Sequence, residues 1–182
     1  MRTLTILFFL CASISLFAQA EEPAAAMDMD EKYADDVASL DAIMTALYGV
    51  ISGDAGEKRD WDRFRYLFTE DARLIPSSKN PEGEVGFRIM SPDGYVERSG
   101  AWLEENGFHE VEIHRVTEEY GSLVHLFSTY ESYRSKADEE PFMRGINSIQ
   151  LLNDGKRWWI LHIYWLGETD DLPLPAKYLP KE

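Results

Sequence analysis

Glu110, Glu112 and His114 alternate along one stretch of chain, and acid, acid, imidazole at two-residue steps is a set that could grip a divalent cation. In an extended strand alternate Cβ atoms stand roughly 7 Å apart, so a single ion would need a further ligand from elsewhere. A solvated polar face at a sheet margin is the plainer reading, and no metal or organic cofactor is expected. His109, at an odd offset from His114, points the other way. Further along, Ser128, Tyr130, Asn147, His162 and Tyr164 offer hydroxyls, an amide and an imidazole, groups that orient a carbonyl or hydroxyl in a ligand. Histidine is the commonest general base near neutral pH, but His162 has no identifiable carboxylate partner. Cysteine pairs, His-x-His, a glycine-rich phosphate loop and a Ser-His-Asp motif are all absent from the sequence.

The elements that must position these groups follow from periodicity. Val37, Leu40, Met44, Leu47, Tyr48 and Ile51 recur at helical steps, and Gly53 stops the run. Asp60 caps a second short helix that puts Trp61, Phe64, Leu67 and Phe68 on one face. Ala72 to Ser77 and Val85 to Met90 are short strands, and Ser91-Pro92-Asp93 opens a third helix that ends at Gly107. Four long strands follow: Phe108 to Tyr120, Leu123 to Arg134, Phe142 to Leu152 and Arg157 to Leu166. Asp154-Gly155 is a strong hairpin signal between the last two. Helices first and an antiparallel meander after them define a single α+β domain.

In the last strand Trp158, Ile160, His162 and Tyr164 face one way by simple alternation, and Trp159, Leu161, Ile163 and Trp165 the other. Both sets are large and mostly apolar, so the strand is covered on both sides. Helices cover one face; a second copy of the chain or the Pro-rich tail must cover the other.

The chain has 182 residues with 18 Lys+Arg against 33 Asp+Glu, a formal charge of −15. That balance excludes broad phosphate contact, hence nucleic acid and anionic membrane surfaces as partners. At 45% hydrophobic residues the chain has a real core to build. Arg2, an apolar run from Leu4 to Phe17 and Ala18-Gln19-Ala20 have the order of a cleaved signal peptide, and the run is too short for a permanent membrane span. Cleavage after Ala20 removes Cys11, the only cysteine, and sends a disulfide-free chain to the periplasm or the exterior. The expected organisation is therefore signal peptide 1–20, acidic leader 21–34, one domain 35–168 and Pro-rich tail 169–182.

"ISGD", "WDRFRYLFTEDARL", a third helix and a meander ending "DGKRWWILHIYW" together resemble the nuclear transport factor 2-like superfamily, which includes ketosteroid isomerase and polyketide-cyclase-like proteins. "STYES" and "RGINSIQLL" resemble an exported subgroup without an assigned reaction. The resemblance implies a cone: a curved antiparallel sheet wrapped round the N-terminal helices, a pocket between them, and commonly a homodimer through the outer sheet face. It places Ser128, Tyr130, Asn147, Trp158, His162 and Tyr164 on the pocket side. Phe127, Ile146, Trp159, Leu161, Ile163 and Trp165 become the candidate dimer interface, and Arg144 with Glu131 an outer ion pair or interface contact. The isomerase catalytic positions fall on Pro76, Ala46 and Asn147, none of them a general base; two residues beyond Ala46 stands Tyr48. The expected function is an exported protein that binds a small apolar or aromatic molecule without ketosteroid-type catalysis. Its alternatives are a dimeric scaffold whose cavity is only core, or an isomerase, dehydratase or cyclase of unknown substrate.

Overall fold

Ser39 is extended and accepts a hydrogen bond from the Ala42 amide at 3.1 Å, capping the first helix, α1 (Leu40–Ile51). In the computed structural model, which describes residues 31–80 and 82–181, this helix buries Ile43, Met44, Leu47, Tyr48, Val50 and Ile51. The expected signal peptide, residues 1–20, lies outside the described residues. The end of the acidic leader is not solvated: Glu31–Val37 forms a 3-10 turn whose Tyr33 is buried and donates to Asp60 at 2.9 Å. Arg63 holds Asp36 through two bonds of 2.6 and 2.7 Å. Local composition pointed to water, and partners from the next helix overrode it.

Asp60 caps α2 (Trp61–Tyr66) by accepting from the Arg63 amide, and Ser91 caps α3 (Pro92–Asn106) by accepting from Gly94. The strands are β1 (Phe68–Lys79), β2 (Val85–Phe87), β3 (His109–Tyr120), β4 (Leu123–Tyr133), β5 (Met143–Asn153) and β6 (Trp158–Gly167). They form one sheet in the order β2-β1-β6-β5-β4-β3. The α+β cone expected from the sequence is present, with one amendment to its antiparallel sheet: β1 runs parallel to β6. Arg59, buried, ties the helix ends together by donating to the carbonyls of Ile51, Gly53 and Leu103 at 3.1, 2.6 and 3.3 Å.

Two register shifts decide which side chains face inward. Along β4 and β5 alternation is unbroken, so Val124, Leu126, Ser128 and Tyr130, with Asn147, Ile149 and Leu151, all point to the buried side. In β6, Leu151 pairs with Ile160 and Gln150 with His162, leaving Leu161 as an extra residue. Beyond this bulge the faces exchange. Ile163 and Trp165, expected at a dimer interface, turn into the core. His162 and Tyr164, expected in the pocket, stand on the outer face opposite Gln150 and Ser148. In β3 the same device at Ile113 leaves Glu110 and Glu112 inward and sends His114 outward, opposite Thr129. The alternating acid, acid, imidazole set is thus split between two faces, and its two acids are not solvated.

The Pro-rich tail lies across the outer face. Tyr178 sits on Phe127 with ring centroids 4.9 Å apart and accepts a bond from the Thr129 hydroxyl at 2.6 Å through its carbonyl. The Leu174 amide donates to Glu168, which Arg144 also binds, at 2.7 Å; Glu131 lies 3.9 Å from the same guanidinium. Phe127 and Ile146 line a recess of about 280 Å³ with Leu172 and Pro173 of the tail. Trp159 is buried under the Arg157 guanidinium, 3.6 Å from its ring, and donates to Asp154.

Candidate functional site

The concave side of the sheet and the three helices enclose a cavity of about 220 Å³. Its wall is mostly apolar, with Leu47 and Ile51 from α1, Phe64 from α2, Leu103 from α3, Leu74 from β1, and Ile163 and Trp165 from β6. The volume exceeds the roughly 150 Å³ that accommodates benzene and is below the ~300 Å³ where drug-sized sites begin. A ligand of one or two fused rings is the size that fits.

The polar groups are concentrated on the sheet side. Glu110, from β3, lines the cavity and accepts a hydrogen bond from Ser132 at 3.0 Å. Burial pushes its carboxyl up to about 7, with the Ser132 and Asn147 hydrogen bonds offsetting only part of that rise. At neutral pH it therefore divides between acid and carboxylate, the state a proton donor or acceptor needs. Tyr130 and Tyr95 also line the cavity, and burial, with Glu110 adding to it, keeps both phenols protonated. Neither hydroxyl has a hydrogen-bond partner among the described residues. The phenol of Tyr130 fits because its cross-strand partner is Gly145; a Cβ there would come within 2.5 Å of the Tyr130 hydroxyl.

Tyr48 has a different task. Ser128 donates to Glu112 in a short hydrogen bond, so its oxygen is left to accept from the Tyr48 hydroxyl at 2.7 Å. Asn147 in turn donates to Tyr48 at 3.1 Å. Glu112 is held by Arg115 at 2.5 Å, and Arg115 by Asp41 at 2.9 Å. The Tyr48 proton is committed within this chain of bonds, and the network fixes α1 against the sheet. Among the described residues no three His, Asp or Glu side chains converge as metal ligands.

Of the six pocket residues expected from the sequence, Tyr130 and Asn147 line the cavity. Ser128 is buried beside it under Tyr48, Trp158 packs on the core away from it, and His162 and Tyr164 face outward. Sequence reasoning missed Glu110, Tyr95 and Trp165. Glu110 was misread as solvated because alternating acids normally are. Its one available signal was its register opposite Ser132, two residues from Tyr130 on the strand that was read correctly.

No family model matches the chain, and no curated protein does. Solved structures do. The β subunit of a putative aromatic-ring-hydroxylating dioxygenase from Novosphingobium aromaticivorans aligns over 78% of this chain and 94% of its own at 13% identity, with a TM-score of 0.55. A cystatin-like-fold protein of unknown function from Nostoc punctiforme aligns over 70% and 90% at 10% identity, TM-score 0.52. A nuclear transport factor 2-like protein of unknown function from Silicibacter pomeroyi aligns over 72% and 94% at 17% identity, TM-score 0.49. The two with TM-scores above 0.5 share with this chain a fold of helices packed on a long sheet, described as cystatin-like for the second. At these identities the likeness is one of fold, and function has to be argued from the cavity.

The raised Glu110 acidity has a consequence for stability. The unfolded carboxyl ionises near pH 4.5 and the folded one near 7, so the native state binds the extra proton between them. Stability contributed at this site falls as pH rises through that window and stays low above it. Glu110→Gln should leave urea stability unchanged at pH 4.5 and raise it by up to about 3 kcal/mol at pH 8. Equal stabilities of the two proteins at pH 8 would show a carboxyl of ordinary acidity.

Proposed function

We propose that the cavity binds a small, mostly apolar molecule of one or two rings bearing a carbonyl or hydroxyl group. The observation that carries this is the pair of unpartnered phenols, Tyr95 and Tyr130, facing a half-ionised Glu110 inside an apolar wall. Hydroxyls that line a cavity without a partner from the protein are free to bond a group placed in it. A ligand oxygen can accept from the phenols, and a ligand O–H or N–H can donate to Glu110.

A second reading is favoured by Glu110 itself: a carboxyl near 7 beside two hydroxyl donors has the parts for moving a proton next to a carbonyl, which would make the protein an isomerase, dehydratase or cyclase. It does not use the positions carried over from ketosteroid isomerase, since Pro76 and Ala46 bear no acid–base group and Asn147 donates to Tyr48. Non-catalytic binding requires less of the site and is the primary proposal. A scaffold role, with the cavity as core only, is what absence of binding would leave.

Indole, which is bicyclic and carries one N–H donor, is a suitable probe. Calorimetric titration should show saturable binding to the wild type. Ser99→Trp, which places a large ring at a cavity-lining serine, should abolish that binding without lowering the melting temperature by more than a few degrees. Saturable binding that survives Ser99→Trp would place the ligand elsewhere.

Export and self-association belong to the same proposal. The signal-peptide order of residues 1–20 supports cleavage after Ala20, with a periplasmic or secreted product. The outer face supports a homodimer in which the tail shares the contact: Phe127 and Ile146 lie there, and Tyr164 and Leu172 are 46% and 50% exposed. Intact-mass measurement and light scattering on the exported protein read both, with a chain beginning at Glu21 and a two-chain particle expected at tens of micromolar. A chain retaining Met1 would overturn the first; a one-chain mass would mean that the tail alone completes the sheet.

A further inference from the structure

The cavity has an opening, and the groups around it specify more about the ligand than its size. Trp102 of α3 and Met143 at the start of β5 line the cavity, yet they are 43% and 37% exposed, so the cavity reaches solvent between them. Phe142, next to Met143, stands edge-on to the cavity residue Phe108 with centroids 6.2 Å apart. Arg134 packs on Trp102 beside this opening. Its guanidinium carbon is 4.5 Å from the Trp102 ring centroid and 4.0 Å from that of Phe142.

The two aromatic faces fix the plane of the guanidinium and leave its edge, which carries the N–H donors, for a partner. Among the described residues that edge has none: no carboxylate lies within ion-pair distance and no acceptor within hydrogen-bond distance. This is notable in a chain of 33 acids against 18 bases, where Arg63, Arg65, Arg115 and Arg144 each hold a carboxylate. The acids nearest in sequence are engaged elsewhere: Glu131 accepts from the Tyr133 hydroxyl at 2.7 Å, and Asp138 is turned to the backbone amides of Arg134 and Ser135, both at 3.0 Å. An exposed, unpaired cation thus lies against Trp102, a residue lining the apolar cavity, and two residues beyond Ser132, the cross-strand partner of Glu110.

We infer that the ligand of this cavity is an amphipathic anion: a ring system that fills the apolar interior, with a carboxylate or similar group on a short tether held by Arg134 at the mouth. The inference rests on the small-molecule reading of the cavity and specifies its substrate class. A planar carboxylate matches the fork of a guanidinium held edge-outward. Arg134 is exposed, so the anionic group it holds stays at the solvent boundary.

Three probes with the same ring test this: indole, indole-3-propionate and its neutral isostere indole-3-propionamide, each titrated calorimetrically at low salt. On the wild type the propionate should bind about tenfold tighter than the propionamide, the scale of one charge-assisted contact at a partly exposed site. In Arg134→Gln the two should bind alike, with the propionamide and indole affinities unchanged from wild type, and in Arg134→Lys the preference should fall in between. Arg134 is exposed, so these variants should fold, and unchanged indole affinity confirms it. Equal wild-type affinity for propionate and propionamide, or a preference that survives Arg134→Gln, overturns the inference and leaves the small-molecule proposal standing. If none of the three probes binds, that proposal falls and the inference with it.

Discussion

Two single-residue bulges, at Ile113 and Leu161, determine what the sheet turns inward, and the site depends on them. An extra residue increases local twist and bends its strand, which is how an open sheet curls round helices. It also reverses alternation from that point on. Without the bulge in β6, two large apolar residues, Ile163 and Trp165, would face outward and an imidazole would enter the core. Without the bulge in β3, Arg115 would leave the inner side and Glu112 would lose the guanidinium that holds it at 2.5 Å. One geometric device therefore supplies both the apolar wall and the neutralised polar network behind it.

The inner polar groups divide into two sets with different consequences. Asp41, Arg115, Glu112, Ser128, Tyr48 and Asn147 form a chain in which each donor has an acceptor, and such a network specifies how α1 sits on the sheet. Tyr95, Tyr130 and Glu110 are not closed in this way. The two phenols have no hydrogen-bond partner among the described residues and line the cavity beside Glu110, so they are groups that a molecule in the cavity would meet. The proton of Tyr48 belongs to the first set, so the phenolic donors available to a ligand are those of Tyr95 and Tyr130. The chemistry of a carboxyl and phenols around a small ring is thus present, assembled from positions other than those the isomerase pattern would use.

Much of this architecture was legible in the residues. Capping serines and aspartate, helical spacing, and the Asp154-Gly155 hairpin are local signals, and local signals survive folding. The faces of β4 and β5 were also readable, because unbroken alternation carries its own parity; hence Tyr130 and Asn147 were placed in the cavity. The β6 face was not, since a bulge at Leu161 leaves no composition signature in a run as uniformly apolar as Trp158 to Leu166. Glu110 was hidden for the opposite reason: two acids at alternate positions look solvated unless one knows that Ser128, Ser132 and Arg115 lie opposite or beside them. The tail's place across Phe127 depends on a contact between residues 127 and 178 that no window of sequence contains.

The central claim is that Glu110 lines a mostly apolar cavity that takes a small ligand. The most direct measurement is a titration of its side-chain carboxyl carbon by nuclear magnetic resonance, assigned by its absence in Glu110→Gln. A midpoint near 7 is predicted. A midpoint in the ordinary range, near 4.5, would show water filling the cavity around Glu110 and would contradict the enclosed site on which the functional proposal rests.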